Sequence, residues 1–557
     1  MSSVLQQNVK YDDVMNTVVP FVLQGGTLIN EPFAPPRRAD IRVDSRGRVI
    51  EIGDALTVDQ SEMLIRVDGM VVAPGFVDLH SHSDLYSLSR DGSPAPIGDV
   101  PKLLQGCTAQ IFGQDGISAA PVDEDKRLEL AHSMTGLDGS IEESLWSWRS
   151  FGEYISAVRR SSATRVAGLV GHSTIRRMAM GVEMRPPRED ELEHMCRLID
   201  EAMTEGALGL STGLVYIPAA YAETDELISL AKVVAKHEGR FFVHVRSESD
   251  RVVEATEEVL EVAYRSGVHL HYSHIKAAGK SNWPLAPKLV EMVEDYRTRG
   301  VQVTADVHPY VAGSTTAAVL LPPWVFDGGE EAARQRLSDP VVRQRIRAQM
   351  LSDTTSFDNW WAFSGGFEGL WVAQASNPDL QGRSFADVIH TQGISDLNSQ
   401  PAFDLVFNLL ASENFSVSLI SFNNIEENIA MFLSQPYTGV GSDALVNPHG
   451  HPHPRLYGTF PRVLGRFVRE LKAIDLYEAV ASMTWKAAQA AGWPGVGTLS
   501  VGDRADIVVF DPDTVADQAT WEEPRIPPIG IEMVFVGGKL VAKDGKLLEH
   551  IGVAGEG

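Results

Sequence analysis

The spacing of apolar and polar positions divides the chain into a beginning, a middle and an end with different grammar. Near the start, Phe21-Val22-Leu23 precedes a Gly25-Gly26 turn, and Ala39-Asp40-Ile41-Arg42-Val43 and Val49-Ile50-Glu51-Ile52 alternate in character. Alternation over such lengths, punctuated by Gly and Pro, predicts half-buried strands. The same pattern returns after residue 497, in Ala505-Asp506-Ile507-Val508-Val509-Phe510 and in Ile531-Glu532-Met533-Val534-Phe535-Val536 ahead of Gly537-Gly538. Neither end has enough strands for a sandwich alone, so the two are expected to build one small β-domain together.

Between them, apolar runs recur at about 76–80, 109–113, 166–170, 207–212, 240–246, 268–275, 301–306, 415–420 and 438–442. Helical patterns such as 190–205 and 224–238 lie between several of them. Strand–helix alternation sustained this long predicts an α/β fold on a parallel sheet, open or closed. Nine runs are one more than a (β/α) barrel needs, and the pattern does not say which is surplus. After Pro309 the chain becomes rich in Pro, Gly and Trp, which places the start of an inserted subdomain near residue 312, with Trp360 and Trp361 inside it.

Composition narrows the partners. The 557 residues carry 48 Lys+Arg against 74 Asp+Glu, a net charge of −26, which repels phosphate backbones and anionic lipid. Neither nucleic acid nor membrane is expected as a partner. With 44% hydrophobic and 22% charged residues the chain can bury a large core and is not disordered. Its two cysteines, Cys107 and Cys196, have no CxxC partner, which fits a reducing compartment. Residues 1–13 lack a basic start followed by an apolar run, and no stretch reaches membrane-spanning length. A cytoplasmic protein is expected.

The chemistry concentrates at strand ends. Ala73-Pro74-Gly75-Phe76-Val77-Asp78-Leu79-His80-Ser81-His82 closes an apolar strand with His-x-His, and period 2 puts both imidazoles on one face. Two converging neutral nitrogens suit a borderline divalent metal such as zinc. Further metal-type groups close later runs: His244 after Phe241-Phe242-Val243, His274 after His271-Tyr272-Ser273, and Asp443 after Gly441-Ser442. In a barrel these ends share the catalytic face. By alternation His269 and His271 are expected to face the helices. Each of these histidines alone reads equally well as a core residue; it is their recurrence that points to a metal.

With these residues in view, the sequence resembles the amidohydrolase superfamily and, within it, the D-aminoacylase (N-acyl-D-amino-acid deacylase) family. The resemblance extends from Gly25-Gly26-Thr27 to Gly502-Asp503-Arg504-Ala505-Asp506. It includes Gly209-Leu210-Ser211-Thr212-Gly213-Leu214-Val215-Tyr216, Ser273-His274-Ile275-Lys276-Ala277 and Pro452-His453-Pro454-Arg455-Leu456-Tyr457-Gly458. It implies a (β/α)8 TIM-like barrel over residues 73–494 with an insertion around 312–412. Residues 1–72 plus 495–557 are then the small β-sandwich domain. It also implies zinc-dependent hydrolysis of N-acyl-D-amino acids, releasing a carboxylate and a free amino acid. One or two ions are implied, with manganese or cobalt as substitutes, and a homo-oligomer is compatible. The rival is a cyclic-amide hydrolase of the hydantoinase or dihydroorotase kind.

One position departs from the family. Where D-aminoacylases carry a bridging cysteine, this chain has Asp115, in Ile111-Phe112-Gly113-Gln114-Asp115-Gly116. Other superfamily members use a carboxylated lysine, but Lys102, Lys126, Lys232 and Lys236 all lie away from strand ends. The expected metal ligands are therefore His80, His82, Asp115, His244, His274 and Asp443, with Asp443 also the catalytic proton carrier. A helix cap is the competing role for Asp115. The resemblance assigns Arg455 to the substrate carboxylate, assisted by Lys276, with Tyr216 and His172 lining the pocket. His308 stands where the family has a Tyr. The His449, His451 and His453 loop reads as polar surface.

Overall fold

The computed structural model describes residues 18–30, 32, 34–353, 355–549 and 551–554. The expectation about a leader in residues 1–13, like that part of the terminal domain, lies outside the described residues. Strands Phe21–Leu28, Arg37–Val43, Val49–Gly53, Met63–Arg66 and Val71–Pro74 join Ile507–Phe510, Ile531–Val536, Lys539–Lys543 and Lys546–Leu547 in a nine-stranded sheet. The two chain ends meet where Val71 lies opposite Phe510 and Pro74 opposite Ile507, antiparallel. The sheet curls into a sandwich. Phe21, Ile41, Val43 and Val49 from one end pack in one core with Ile507, Val509 and Phe535 from the other, and the Phe21 and Phe535 rings stack 4.9 Å apart. Its other face, including Val71, Ala73, Val508 and Phe510, packs against barrel residues Phe460, Val463 and Phe467.

Eight parallel strands form the barrel. They are, in order, Phe76–Asp78, Cys107–Phe112, Arg165–Gly168 (continued by Val170–Gly171), Gly209–Gly213, Arg240–His244, His269–Tyr272, Val303–Val307 and Thr438–Val440. The barrel closes where the Leu79 amide donates to the Val440 carbonyl at 3.4 Å and Ser81–His82 pairs in parallel with Ala444–Leu445. Alternation sorts the side chains. Phe241, Val243, Leu270 and Tyr272 pack outward on the helices, while Val77, Leu79, Ala109, Ile111 and Phe242 fill the interior. The helices follow the 3.6-residue period. In Glu189–Thr204, Met195, Ile199 and Ala202 are buried, and three acids in the first turn complement the helix dipole.

The surplus ninth run is a strand outside the barrel. Ser418–Phe422 pairs antiparallel with both Ala312–Thr316 and Leu370–Gln374 in a separate three-stranded sheet. The inserted segment therefore runs on to Phe422, past the expected end near 412. Trp360 and Trp361 lie in it, on the short helix Trp360–Phe363, packed in the insert's own core. Among the described residues no helix is long and apolar enough to cross a membrane.

Candidate metal centre

Six side chains from five strand ends meet on the barrel axis. Three of them, Asp115, His274 and Asp443, have positive φ, of 54°, 36° and 52°. Non-glycine residues seldom adopt this conformation, which costs roughly 1–3 kcal/mol each and clusters at functional sites. Nearby glycines make the approach possible. A Cβ on Gly441 would lie 2.6 Å from the His80 Cβ, and one on Gly213 would lie 2.5 Å from the Asp115 carbonyl oxygen.

The spacings are those of shared coordination rather than of hydrogen bonds. Asp115 Oδ1 lies 3.5 Å from His80 Nε2 and 3.5 Å from His274 Nε2. Its Oδ2 lies 3.7 Å from His82 Nε2 and 3.8 Å from His244 Nδ1. Asp443 Oδ1 lies 3.4 Å from His82 Nε2 and 3.8 Å from His80 Nε2. Ligand atoms about 2.0–2.2 Å from a tetrahedral zinc stand roughly 3.3–3.6 Å apart, close to these distances. His80 Nε2, His82 Nε2 and Asp115 Oδ1 are buried with no hydrogen-bond partner, an arrangement costly to leave unpaired. The ligand-type atoms form two groups sharing Asp115: His80, His82, Asp115 and Asp443, and Asp115, His244 and His274. His244 Nδ1 and His274 Nε2 face each other at 3.0 Å, an arrangement that needs a proton or a cation between them. The donor set fits a divalent metal. No helix begins at Asp115, so it caps none.

Electrostatics point the same way. Burial pulls the His80 imidazole down, but the Asp115 and Asp306 carboxylates raise it well above its ordinary value. His82 is raised to about 9, as Asp138 and Asp443 outweigh burial. Burial raises the Asp115 carboxyl, yet His80, His244 and His274 hold it well below the usual range. The cluster attracts positive charge.

Behind these groups stand carboxylates that the sequence reading did not assign. Asp138 Oδ1 accepts from His82 Nδ1 at 2.8 Å, Glu248 Oε1 lies 2.9 Å from His274 Nδ1, and Asp306 Oδ2 lies 3.6 Å from His80 Nδ1. Such partners fix ring orientation and tautomer. His271 belongs with them: it faces the barrel interior, bonded through Nε2 to Asp306 Oδ2 at 2.8 Å, and not the helices. Strand alternation ends at Tyr272, and His274 reaches the axis from the turn beyond, so counting by twos from His274 misplaced His271. Asp78 accepts from Lys102 Nζ and from Ser442 Oγ, each at 2.6 Å, and ties the first strand to the eighth. A charged residue inside an apolar strand, as in Phe76-Val77-Asp78 or Val303-Thr304-Ala305-Asp306, was the available signal, since it stays buried only with partners.

The residues expected to read the substrate are already engaged. Arg455, fully buried, donates from Nη1 to Asp443 Oδ2 at 2.7 Å and from Nη2 to the Ser314 carbonyl at 3.0 Å, while Nε has no partner. Lys276 Nζ donates to Glu248 Oε1 at 2.7 Å. The Tyr216 ring lies edge-on to His244, and its hydroxyl bonds Thr315 Oγ1 at 2.8 Å. His172 opens the helix His172–Met180, and its ring nitrogens bond Thr212 Oγ1 and Glu226 Oε1 at 2.8 and 2.9 Å. His308 is the reverse case, buried with both ring nitrogens unpartnered and Nε2 3.9 Å from Asp443 Oδ2. His453, expected at the surface, is buried and accepts the Arg455 amide at 2.9 Å. Cys107 is buried at the start of its strand, with its Sγ on the Ala109 carbonyl.

Residues 65–542 match the model of the Amidohydrolase family. The chain is 35% identical over 520 residues to a D-aminoacylase of Alcaligenes xylosoxydans xylosoxydans, covering 93% of each chain. It is 32% identical over 525 residues to an N-acyl-D-glutamate deacylase of the same organism, covering 94% of each. Among solved structures it resembles an N-acyl-D-glutamate deacylase from Bordetella bronchiseptica complexed with zinc and a phosphonate inhibitor. That match has a TM-score of 0.75 at 30% identity and covers 96% of this chain and 99% of the other. Barrel, terminal sandwich and sequence agree, and the chain belongs to the amidohydrolase family, in its D-aminoacylase group.

Proposed function

We propose that this protein hydrolyses the amide bond of N-acyl-D-amino acids with zinc at the axial cluster. The observation carrying the reading is the convergence of buried, unpartnered ligand atoms at coordination spacing in a chain similar along its length to D-aminoacylase. His80, His82, Asp115 and Asp443 would hold one ion, and Asp115, His244 and His274 would hold a second. The imidazole and carboxylate donors suit zinc and also accept cobalt or manganese. What a bound zinc supplies is polarisation of the acyl carbonyl and a water made acidic near neutral pH.

The chain's residues do the rest. Asp443 takes the proton of the attacking water and returns it to the amine nitrogen, without which the amine is too basic to leave. Its carboxyl is raised by burial, but Arg455 and His82 hold it well below the usual range, so it is ionised near neutral pH. Arg455 thus acts first on Asp443; its unpartnered Nε and the free imidazole of His308 are the groups left to receive the substrate's carboxylate. Tyr216 walls the pocket on the His244 side.

The test is hydrolysis of a panel of N-acyl-D- and N-acyl-L-amino acids and cyclic amides, before and after chelation. Release of D-amino acids that vanishes with chelation and returns with zinc is expected. Undiminished hydrolysis by the metal-free protein, or turnover of cyclic amides alone, would overturn the reading.

A further inference from the structure

The inserted segment reaches the His274 side of the metal centre through a carboxylate. Asp358 lies immediately before the helix Trp360–Phe363 and is buried against the loop that follows the fifth barrel strand. Its Oδ1 accepts from Ser247 Oγ at 2.9 Å and from Ser249 Oγ, and its Oδ2 accepts from the Glu248 amide at 3.3 Å. The residue thus gripped from both sides is Glu248, whose Oε1 meets His274 Nδ1 and Lys276 Nζ. The grip is anchored on the insert side as well. Asn359 Nδ2 donates to the carbonyls of Met350 and Asp353, and its Oδ1 accepts from the Ala362 amide. A second contact reinforces it: Gly279, beyond His274 and Lys276, lies so close to the insert that a Cβ there would stand 2.8 Å from the Phe363 Cβ.

We infer that Asp358 is a positioning residue, which couples the seating of the insert to the metal centre by fixing Glu248 and, through it, His274. With Nε2 of His274 turned toward Asp115, its Nδ1 lies 2.9 Å from Glu248 Oε1 and 2.9 Å from Lys276 Nζ, which itself donates to Glu248 Oε1, so the three groups brace one another. The ring then keeps one orientation. Loss of Asp358 frees the backbone of residues 247–249, and the Glu248 carboxylate no longer holds its place. A partner bonded directly to a metal-ligating His, as Glu248 is to His274, is worth about 10–100-fold in metal affinity, and Asp358 acts through it.

This inference rests on the metal reading above and is tested on the full chain by zinc affinity, measured by competition with a chromophoric chelator. Asp358→Ala is expected to weaken zinc roughly 10-fold or more and to alter the visible spectrum of the cobalt-loaded protein. Glu248→Gln should do the same, and the double variant should be no weaker than the worse single one, because both act through one carboxylate. Asp358→Asn, which keeps an acceptor for the two serines, should recover part of the loss. Wild-type zinc affinity with an unchanged cobalt spectrum in Asp358→Ala, or losses that multiply in the double variant, would overturn the coupling. Should Asp358→Ala fail to fold, Asp358→Asn and Ser249→Ala carry the test, and unaltered affinity in both would overturn it. A wild-type chain that takes up no zinc at all overturns the metal reading, and the inference with it.

Discussion

His80 and His82 sit at the seam where the barrel closes, and what stands behind His80 is barrel, while His82 also bonds Asp138 in a loop. Asp78, Lys102 and Ser442 lock the first strand to the eighth, and Asp306 and His271 reach His80 from inside. His244 and His274 stand across Asp115; His244 closes a barrel strand, whereas His274 depends on Glu248, a loop residue held in part by the insert. One half of the site is thus built into the scaffold, whose strands are fixed by their ladders. In the other, His274 is held by a loop, and loops vary and move more readily than the elements they join. The first half is suited to constancy and the second to adjustment when the insert changes.

That contrast can be broken or sharpened by measurement. The largest effect is expected at Asp443, the residue of the scaffold half that touches the reacting atoms. Asp443→Asn should lower kcat by about 10³-fold, within the range for lost proton transfer, with zinc still bound on the His244–His274 side. Near-normal kcat would remove Asp443 from the chemistry. Next comes Lys102→Met, which leaves the Asp78 carboxylate buried without its cation. About 3–5 kcal/mol of stability should be lost, read by chemical denaturation, and this should exceed the loss in Asp358→Ala. An equal or smaller loss would mean that the seam is not the stiffer half.

The smallest effect concerns pH. Arg455 is among the groups holding the Asp443 carboxyl low against burial, so Arg455→Gln should raise its pKa. A base with a raised pKa becomes protonated sooner as pH falls. The acid limb of kcat, read at saturating substrate so that the carboxylate contact of Arg455 does not enter, should therefore move to higher pH. An acid limb that stays put would show that Arg455 does not set the state of Asp443.

Much of the architecture was legible in residue order, because strand alternation and helical periodicity are local. The eight barrel strands and five of the nine strands of the terminal sheet announce themselves in this way. Pairing is not local: the run at 415–420 has the composition of a barrel strand, and only its antiparallel partners Ala312–Thr316 and Leu370–Gln374 identify it as part of the insert. The six axial residues stood out as metal-type groups at the ends of apolar runs. Asp138 gave no such sign, since it lies in a loop far in sequence from His82. Arg455 and Lys276 were visible as cations, but not their prior engagement with Asp443 and Glu248, which depends on three-dimensional proximity.

The joining of Val71–Pro74 to Ile507–Phe510 has a consequence for biogenesis. During synthesis the amino-terminal strands leave the ribosome long before their partners exist, and the edge at Val71–Pro74 waits while the barrel and its insert are translated. At about 5–20 residues per second that wait lasts tens of seconds to a minute or more, with an unpaired strand exposed to other nascent chains. Removal of the final strands from the finished protein would recreate this vulnerable intermediate. Small carboxy-terminal truncations should therefore reduce soluble yield well before they touch the chemistry.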